Sequence, residues 1–165
     1  MHKDRTWMIR SYRDEDLAGM IEIWNAVVRS GDAFPQDSEL TKEEASHFFA
    51  SQSATSVAVL DGKLVGLYIL HPNNVGRCAH IANASYCVGA SYRGKGIGKA
   101  LVLDSMEKAK ILGFRILQFN AVLTTNQGAL HLYHALGFED LGVIQGGFAY
   151  SDGSFVDIQP MVKYL

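Results

Sequence analysis

The sequence has little that would suit the protein to secretion, to a membrane or to a nucleic acid. Its two cysteines are too few for a disulfide framework, which favours a reducing compartment. No apolar run approaches the ~20 residues of a membrane-spanning helix, and the segment Met1 to Arg5 lacks the apolar core of a signal peptide. A net charge of −2 gives no basic excess for DNA, RNA or an anionic membrane. We therefore expect a cytoplasmic protein with no nucleic-acid or membrane partner.

The hydrophobic and charged content of the sequence is typical of a compact folded chain. Of the 165 residues, 48% are hydrophobic and 19% are charged, which excludes intrinsic disorder. This length is typical of one domain and allows a sizeable core. We expect a single domain over residues 1–165.

Hydrophobic periodicity and turn signals predict alternating strands and helices without a linker or repeat. A capping box at Thr41 and Glu44 opens the second helix, and Asp61-Gly62 predicts a hairpin. Segments 30–40 and 71–77 are predicted to be loops. The predicted helices follow Asp14 as far as Val28 and cover 41–51, 96–112 and 126–136. The predicted strands are 7–12, 56–60, 64–70, 79–88, 116–122, 139–144 and 155–163.

A glycine-rich turn lies between a predicted strand and a predicted helix at residues 93–99, Arg-Gly-Lys-Gly-Ile-Gly-Lys. Glycine lets the backbone approach a ligand closely, and the first N–H groups of a helix have no helical acceptor. The helix dipole favours negative charge there, and Arg93, Lys95 and Lys99 add positive charge. The turn predicts a site for a di- or polyphosphate.

Two common phosphate-binding loops do not match this turn. A Walker A loop needs a leading Gly and a Ser or Thr after Gly-Lys, but Arg93 and Ala100 occupy those positions. A dinucleotide fingerprint needs a last Gly where Lys99 stands. The remaining alternative is a glycine-rich turn that binds nothing. It is disfavoured because three basic side chains at a helix start repel one another without an anion.

The pattern Arg93-x-x-Gly96-x-Gly98 resembles the acetyl-CoA loop of the GNAT superfamily of N-acetyltransferases. The segment Asn126 to Phe138 is similar to that family's N-x-x-A-x-x-x-Y-x-x-L-G-F motif. The resemblance implies an α/β (α+β) fold, with a mixed, mostly antiparallel sheet flanked by four helices. It also implies acetyl-CoA as the cosubstrate, whose pantetheine arm lies between the strand ending at Val88 and the strand 116–122. The implied cofactor-binding residues are Cys87, Val88, Arg93, Gly94, Lys95, Gly96, Gly98, Lys99, Asn126 and Tyr133.

The resemblance also implies a catalytic role for Tyr133, which matches the thiol-facing tyrosine of the family. Direct transfer of an acetyl group expels the coenzyme A thiolate, and a positioned phenol can donate a proton or a hydrogen bond to it. The alternative is that Tyr133 only packs in the core with Leu130 and Leu136. The surrounding motif favours the catalytic interpretation.

The general base is not evident, because the strand 79–88 carries no carboxylate. An acceptor ammonium must lose a proton before it can attack. His80 could accept this proton directly, or a water chain ordered by Asn83, Ser85 and Tyr86 could carry it. Alternation places Asn83 and Ser85 on one face, and His80 and Tyr86 on the other, unless a β-bulge reverses the phase.

Segments 70–77 and 80–83, together with Asn120 and Asn126, are similar to acetyltransferases of azetidine-2-carboxylate. The segment 31–35 is similar to homodimeric acetyltransferases of phosphinothricin and methionine sulfone. This similarity implies a small amine or amino acid as acceptor, direct attack in a ternary complex, and a homodimer. Asn83 and Asn120 are the predicted catalytic asparagines, although they could merely tie neighbouring strands together, where Asn is disfavoured. The predicted substrate-binding residues are Asp32, Phe34, His80, Asn83 and Asn120.

The sequence is also compatible with other functions. A protein N-terminus, a lysine or a polyamine could be the acceptor, and a polyamine would require acidic residues such as Asp32, Asp37 and Glu39. A non-catalytic module that binds acyl-CoA is a further alternative. The pair His131 and His134 and the pair Cys78 and His80 lack further ligands, so no metal is expected.

Overall fold

The computed structural model describes residues 7–165, which form one eight-stranded sheet with helices on both faces. Short 3₁₀ turns occur at Asp14–Asp16, Gly76–Cys78 and Ala90–Tyr92. The helices are α1 (Leu17–Ser30), α2 (Lys42–Ala50), α3 (Ile97–Ile111) and α4 (Gln127–Ala135). The strands are β1 (Trp7–Ser11), β2 (Ala54–Leu60), β3 (Lys63–Pro72), β4 (Ile81–Val88), β5 (Ile116–Leu123), β6 (Glu139–Asp140), β7 (Ile144–Ala149) and β8 (Phe155–Tyr164).

The sheet is mixed and mostly antiparallel, as predicted. Its order is β1-β2-β3-β4-β5-β8-β6, and β7 pairs with β8 beyond this path. The parallel pair is β4 with β5, and the other pairs are antiparallel. The element order and the four α-helices agree with the predicted fold class.

Alternating residues of β3 separate two hydrophobic cores. Leu67 and Ile69 pack on the face covered by α1 and α2, where Trp24 and Phe49 are almost fully buried. Tyr68 and Leu70 pack on the opposite face with residues of α3. Burial of these side chains provides most of the stabilisation of such a layered fold. It also holds α1 and α2 on one face of the central strands and α3 and α4 on the other.

The central strands β4 and β5 separate soon after they begin. They are paired at Ile81 with Ile116 and at Ala82 with Leu117, and at no later residue. The Asn83 side-chain amide donates a hydrogen bond to the Gln118 carbonyl (2.8 Å) just beyond this short paired segment. A β-bulge in β5 lies farther along, where its register with β8 shifts between residues 119 and 122. The space between the diverging strands is called the β4–β5 gap.

Two strand boundaries differ from the expectations drawn from the sequence, and the alternation along β4 agrees with them. The predicted strand 139–144 is wrong: β6 has two residues, Gly142 follows at φ 120°, and β7 is a separate, largely exposed strand. β3 continues to Pro72 instead of ending at residue 70, because its last two residues pair with Asn83 and Ala82 of β4. The register of β4 on β3 is regular, so a bulge does not reverse the alternation there.

Candidate active site at the β4–β5 gap

Two cavities meet at the β4–β5 gap. Cavity A has a volume of about 500 Å³, and cavity B one of about 670 Å³. Residues common to the walls of both are Ala33, Tyr86, Asn126, Ala129 and Tyr133. Cavity A is further lined by residues 34–36, Phe48, Gln52, Ile69, His71, 83–85 and 119–123. Cavity B is further lined by Val27, Asp32, Val88, Tyr92–Gly94, Ile97, Gly98, Val102, Thr125, Gly128, Leu132 and Tyr150.

The N-terminus of α3 forms one end of cavity B. Gly94 and Gly96 have φ values of 72° and 81°, which favour glycine because a Cβ is strained there. The first hydrogen bond of the helix runs from the Ala100 N–H to the Gly96 carbonyl (3.1 Å), so the N–H groups of residues 97–99 have no helical acceptor. With the Arg93 side chain beside them, these amides fit a pyrophosphate.

Not every residue of the glycine-rich turn lines the cavity. The residues that do are Arg93, Gly94, Ile97 and Gly98, whereas Lys95, Gly96 and Lys99 are exposed neighbours outside its wall. The Lys95 ammonium lies 5.2 Å from the centre of the Tyr92 ring, which itself lines cavity B. Gly96 shapes the turn, and the two lysines add positive charge near it.

Beyond Ala82, the backbone N–H and carbonyl groups on the β5 side of β4 have no partner on that strand. The Gly89 N–H donates to Val65 on β3 (2.8 Å), and the Ile81 carbonyl accepts from Asn73 beyond the end of β3 (2.7 Å). Because neighbouring residues of a strand direct their backbone groups to opposite edges, the even-numbered residues direct theirs into the gap. These residues are Ala84, Tyr86 and Val88.

The predicted cofactor contact of Cys87 is therefore wrong, whereas the position of Val88 fits it. A Cβ on Gly66 would lie only 2.9 Å from the Cys87 carbonyl oxygen, which places that carbonyl against β3. The Cys87 side chain is 3% exposed and lies in the core under α1 and α2. Burial raises the pKa of its thiol, so it remains a protonated, apolar core group.

Tyr133 lies where the two cavities meet. Its ring packs against Phe119 and Phe138, with ring centres 4.4 and 5.6 Å apart. Burial raises the pKa of its phenol to about 12, so the hydroxyl stays protonated near neutral pH and can act as a donor. The same side chain therefore packs in the core and lines both cavities.

Three asparagines line cavity A and also form structural hydrogen bonds. The Asn83 amide contacts the Gln118 carbonyl, as described above. The Asn120 amide, in the bulged part of β5, donates to the Asn73 side chain (2.6 Å). Asn126 caps α4 by accepting a hydrogen bond from the Ala129 N–H (3.1 Å). Asn83 and Asn120 thus tie neighbouring segments together at the wall of the cavity.

The other predicted substrate residues are placed differently. Phe34 lines cavity A and packs on Trp24, with ring centres 4.5 Å apart. Asp32 lines cavity B and accepts a hydrogen bond from the Ser30 hydroxyl (2.8 Å). The assignment of His80 is wrong, because its side chain is exposed before β4 begins and lines neither cavity. His71 of β3 lines cavity A instead.

Cavity A is lined mainly by apolar groups with several polar side chains among them, and the described residues give it no fixed charge. None of the described Asp, Glu, Lys or Arg residues lines it, and its titratable groups are His71, Tyr86 and Tyr133. The Tyr86 and Ser105 hydroxyls are 2.7 Å apart, and burial raises the pKa of Tyr86 well above its usual value. Tyr86 and Tyr133 are thus neutral near neutral pH.

Within residues 7–165, no three His, Cys, Asp or Glu side chains are grouped closely enough to hold a metal ion. His134 instead contacts Asp140 (2.7 Å), linking α4 to β6. The same part of the chain contains no helix that is long and apolar enough to cross a bilayer.

Comparison with known proteins identifies the family. Residues 22–138 match the acetyltransferase (GNAT) family. The N-acetyltransferase aca1 of Schizosaccharomyces pombe is 32% identical over 150 residues, covering 81% of this chain and 72% of that protein. The phosphinothricin N-acetyltransferase of Alcaligenes faecalis is 29% identical over 164 residues, covering 95% and 82%.

A solved structure supports the same assignment. The GCN5-related N-acetyltransferase from Kribbella flavida superimposes with a TM-score of 0.89 at 35% identity, covering 96% of this chain and 98% of that one. The glycine-rich turn, the β4–β5 gap and Tyr133 all lie within the matched residues 22–138. The chain belongs to the GNAT family of N-acetyltransferases and uses acetyl-CoA as its acetyl donor.

Proposed function

We propose that the enzyme acetylates the amine of a small molecule, an amino acid or an amino-acid analogue, by direct attack in a ternary complex. The observation that carries this proposal is the meeting of the two cavities at Tyr133. A donor in cavity B and an acceptor in cavity A can then be held together, so that no acetylated enzyme is needed. Holding two reactants in contact is itself a large part of catalysis.

In this proposal, cavity B holds acetyl-CoA, which supplies an activated acetyl thioester. Arg93 and the N–H groups of residues 97–99 bind the pyrophosphate, and the Val88 backbone contacts the pantetheine arm. Asn126 keeps the start of α4 beside that arm. The Tyr133 hydroxyl donates to the sulfur as the C–S bond breaks, because thiolate charge develops only at that stage.

Cavity A holds the acceptor. Its side-chain amides offer donors and acceptors without net charge, which suits a small zwitterion. A relative is named a phosphinothricin N-acetyltransferase, and phosphinothricin is an amino-acid analogue. A polyamine is less suited, because Asp37 and Glu39 lie outside both cavities and Asp32 lies in cavity B. The homodimer and the cytoplasmic location stay predictions.

A panel of acceptors tests the substrate class. Coenzyme A release should be fastest with compact amino acids, such as azetidine-2-carboxylate, proline analogues and methionine sulfone. Decarboxylated or amidated versions should lose much of kcat/KM, since the groups that bound the carboxylate are left unpaired. If simple amines or peptide N-termini react faster than every amino acid, the assignment fails.

Replacing Asn83 or Asn120 with Ala should lower kcat/KM for the amino acid about tenfold, since each change removes an amide hydrogen bond to the acceptor. Stabilisation by acetyl-CoA should not change. Asn74→Ala is the matched control, because Asn74 is exposed in the loop that follows β3 and lines neither cavity. A loss of melting temperature in the absence of ligand, with kcat/KM unchanged, would show that these asparagines only tie strands together.

A further inference from the structure

His71 occupies a position that the sequence pattern did not single out. Near the end of β3 it pairs with Asn83 of β4, two residues from Ile69, which pairs with Ser85. Cross-strand partners share a face of the sheet, so these four side chains lie on the side covered by α1 and α2. All four line cavity A.

The hydrogen bond of the His71 ring defines its tautomer. Its Nδ1 atom is 2.9 Å from the carbonyl oxygen of Pro72. A carbonyl only accepts, so Nδ1 carries the hydrogen and the Nε2 atom of the neutral ring has a free lone pair. The same contact is kept when Nε2 gains a proton, so the ring can change its charge without turning.

Among residues 7–165, no other group lining cavity A can accept a proton near neutral pH. The cavity has no carboxylate within the described part of the chain, and its two tyrosines are neutral donors. An acceptor amine enters mainly as an ammonium, and transfer into an uncharged, partly dehydrated cavity favours loss of its proton. The step requires a base that takes this proton away.

We propose that His71 is the general base, which removes the proton from the acceptor ammonium through Nε2, directly or through one water molecule. This inference rests on the function proposed above. The freed amine nitrogen forms a bond to the acetyl carbon, and the C–S bond breaks. Tyr133 gives its proton to the departing sulfur, and the acylated nitrogen then loses its second proton, which restores the phenol of Tyr133. His71 releases the proton that it took from the ammonium to solvent.

The test replaces His71 with Gln, which keeps hydrogen-bonding capacity but cannot act as the base. It uses an acceptor that the wild-type enzyme has been shown to acetylate. His71→Gln should lower kcat/KM about 100-fold at neutral pH and remove the ionisation of the base from the pH profile. Stabilisation by acetyl-CoA should be unchanged. His47→Gln is the matched control, because His47 is exposed on α2 and lines neither cavity.

Acceptors whose amines differ in pKa distinguish a general base from a structural residue. With an amine of low pKa, already neutral at the assay pH, the defect of His71→Gln should shrink to less than about tenfold. An equal defect with both kinds of amine would show a structural role and would overturn the proposal. The same conclusion follows if His80→Gln, but not His71→Gln, loses the ionisation.

A spectroscopic measurement is independent of turnover. In the ¹⁵N spectrum of the unliganded enzyme at high pH, the His71 ring should be protonated at Nδ1 and bare at Nε2. A ring protonated at Nε2 would overturn the inference. If no amine releases coenzyme A, the proposed function fails, and this spectrum still decides whether His71 has the state of a base.

Discussion

Replacing Tyr133 with Phe is expected to lower kcat about 100-fold, because the hydroxyl that stabilises the departing thiolate is lost. Binding of acetyl-CoA should change little, since the ring keeps its packing against Phe119 and Phe138. The measurement is steady-state release of coenzyme A, combined with the shift in melting temperature caused by acetyl-CoA.

Tyr86→Phe is the matched control for this change. Tyr86 also borders both cavities, but its hydroxyl is engaged with Ser105 (2.7 Å). Loss of the Tyr86 hydroxyl should therefore lower the free energy of unfolding, while kcat changes little. A Tyr133→Phe enzyme with nearly wild-type kcat would show that Tyr133 is a packing residue.

Replacing Gly98 with Val is expected to abolish the thermal stabilisation by acetyl-CoA. The wild-type enzyme should gain about 2.7 kcal/mol at a ligand concentration 100 times Kd. Gly98 lies in the first turn of α3 and lines cavity B, so a branched side chain keeps the pyrophosphate away from the helix amides. The readout is the melting temperature with and without acetyl-CoA.

The variant should still fold. A Cβ at Gly98 has one neighbour within 4 Å, the Val88 Cγ2 atom at 3.9 Å, and the backbone there does not have a positive φ. Gly96 is a poorer choice because its φ is +81°. Gly19→Val is the matched control, because Gly19 lies in α1 outside both cavities. It shows the effect of replacing a helical glycine with Val away from the proposed pyrophosphate site. If folded Gly98→Val keeps the full shift, the turn does not bind the pyrophosphate.

Features that depend on local sequence were predictable. The turn at residues 93–99 and the start of α4 at Asn126 lie where the sequence indicated, because glycine conformation and the beginning of a helix involve residues a few positions apart. The position of Tyr133 near the cofactor followed from the motif around it. Hydrophobic periodicity and composition alone would not have indicated this position.

Features that depend on the pairing of distant strands were not predictable. The backbone direction of Cys87 is set by β3, some twenty residues earlier, and the exposure of His80 depends on where β4 begins. His71 was assigned to a loop because Pro72 and two asparagines follow it, although β4 holds this segment in the sheet. Alternation with Ile69 was the signal that could have placed it.

The short pairing of β4 with β5 has a consequence for cooperativity. Strands β1 to β4 and strands β5 to β8 are two half-sheets, whose central strands share two paired positions. Few backbone hydrogen bonds therefore join the two halves, and the hydrophobic core on the side of α3, which includes Tyr68 of β3 and Leu117 of β5, holds them together. An extended ligand that bonds to the free edge of β4 and packs on β5 joins the halves. It adds hydrogen bonds where the sheet itself has few, so it should make the unfolding of the two halves more cooperative.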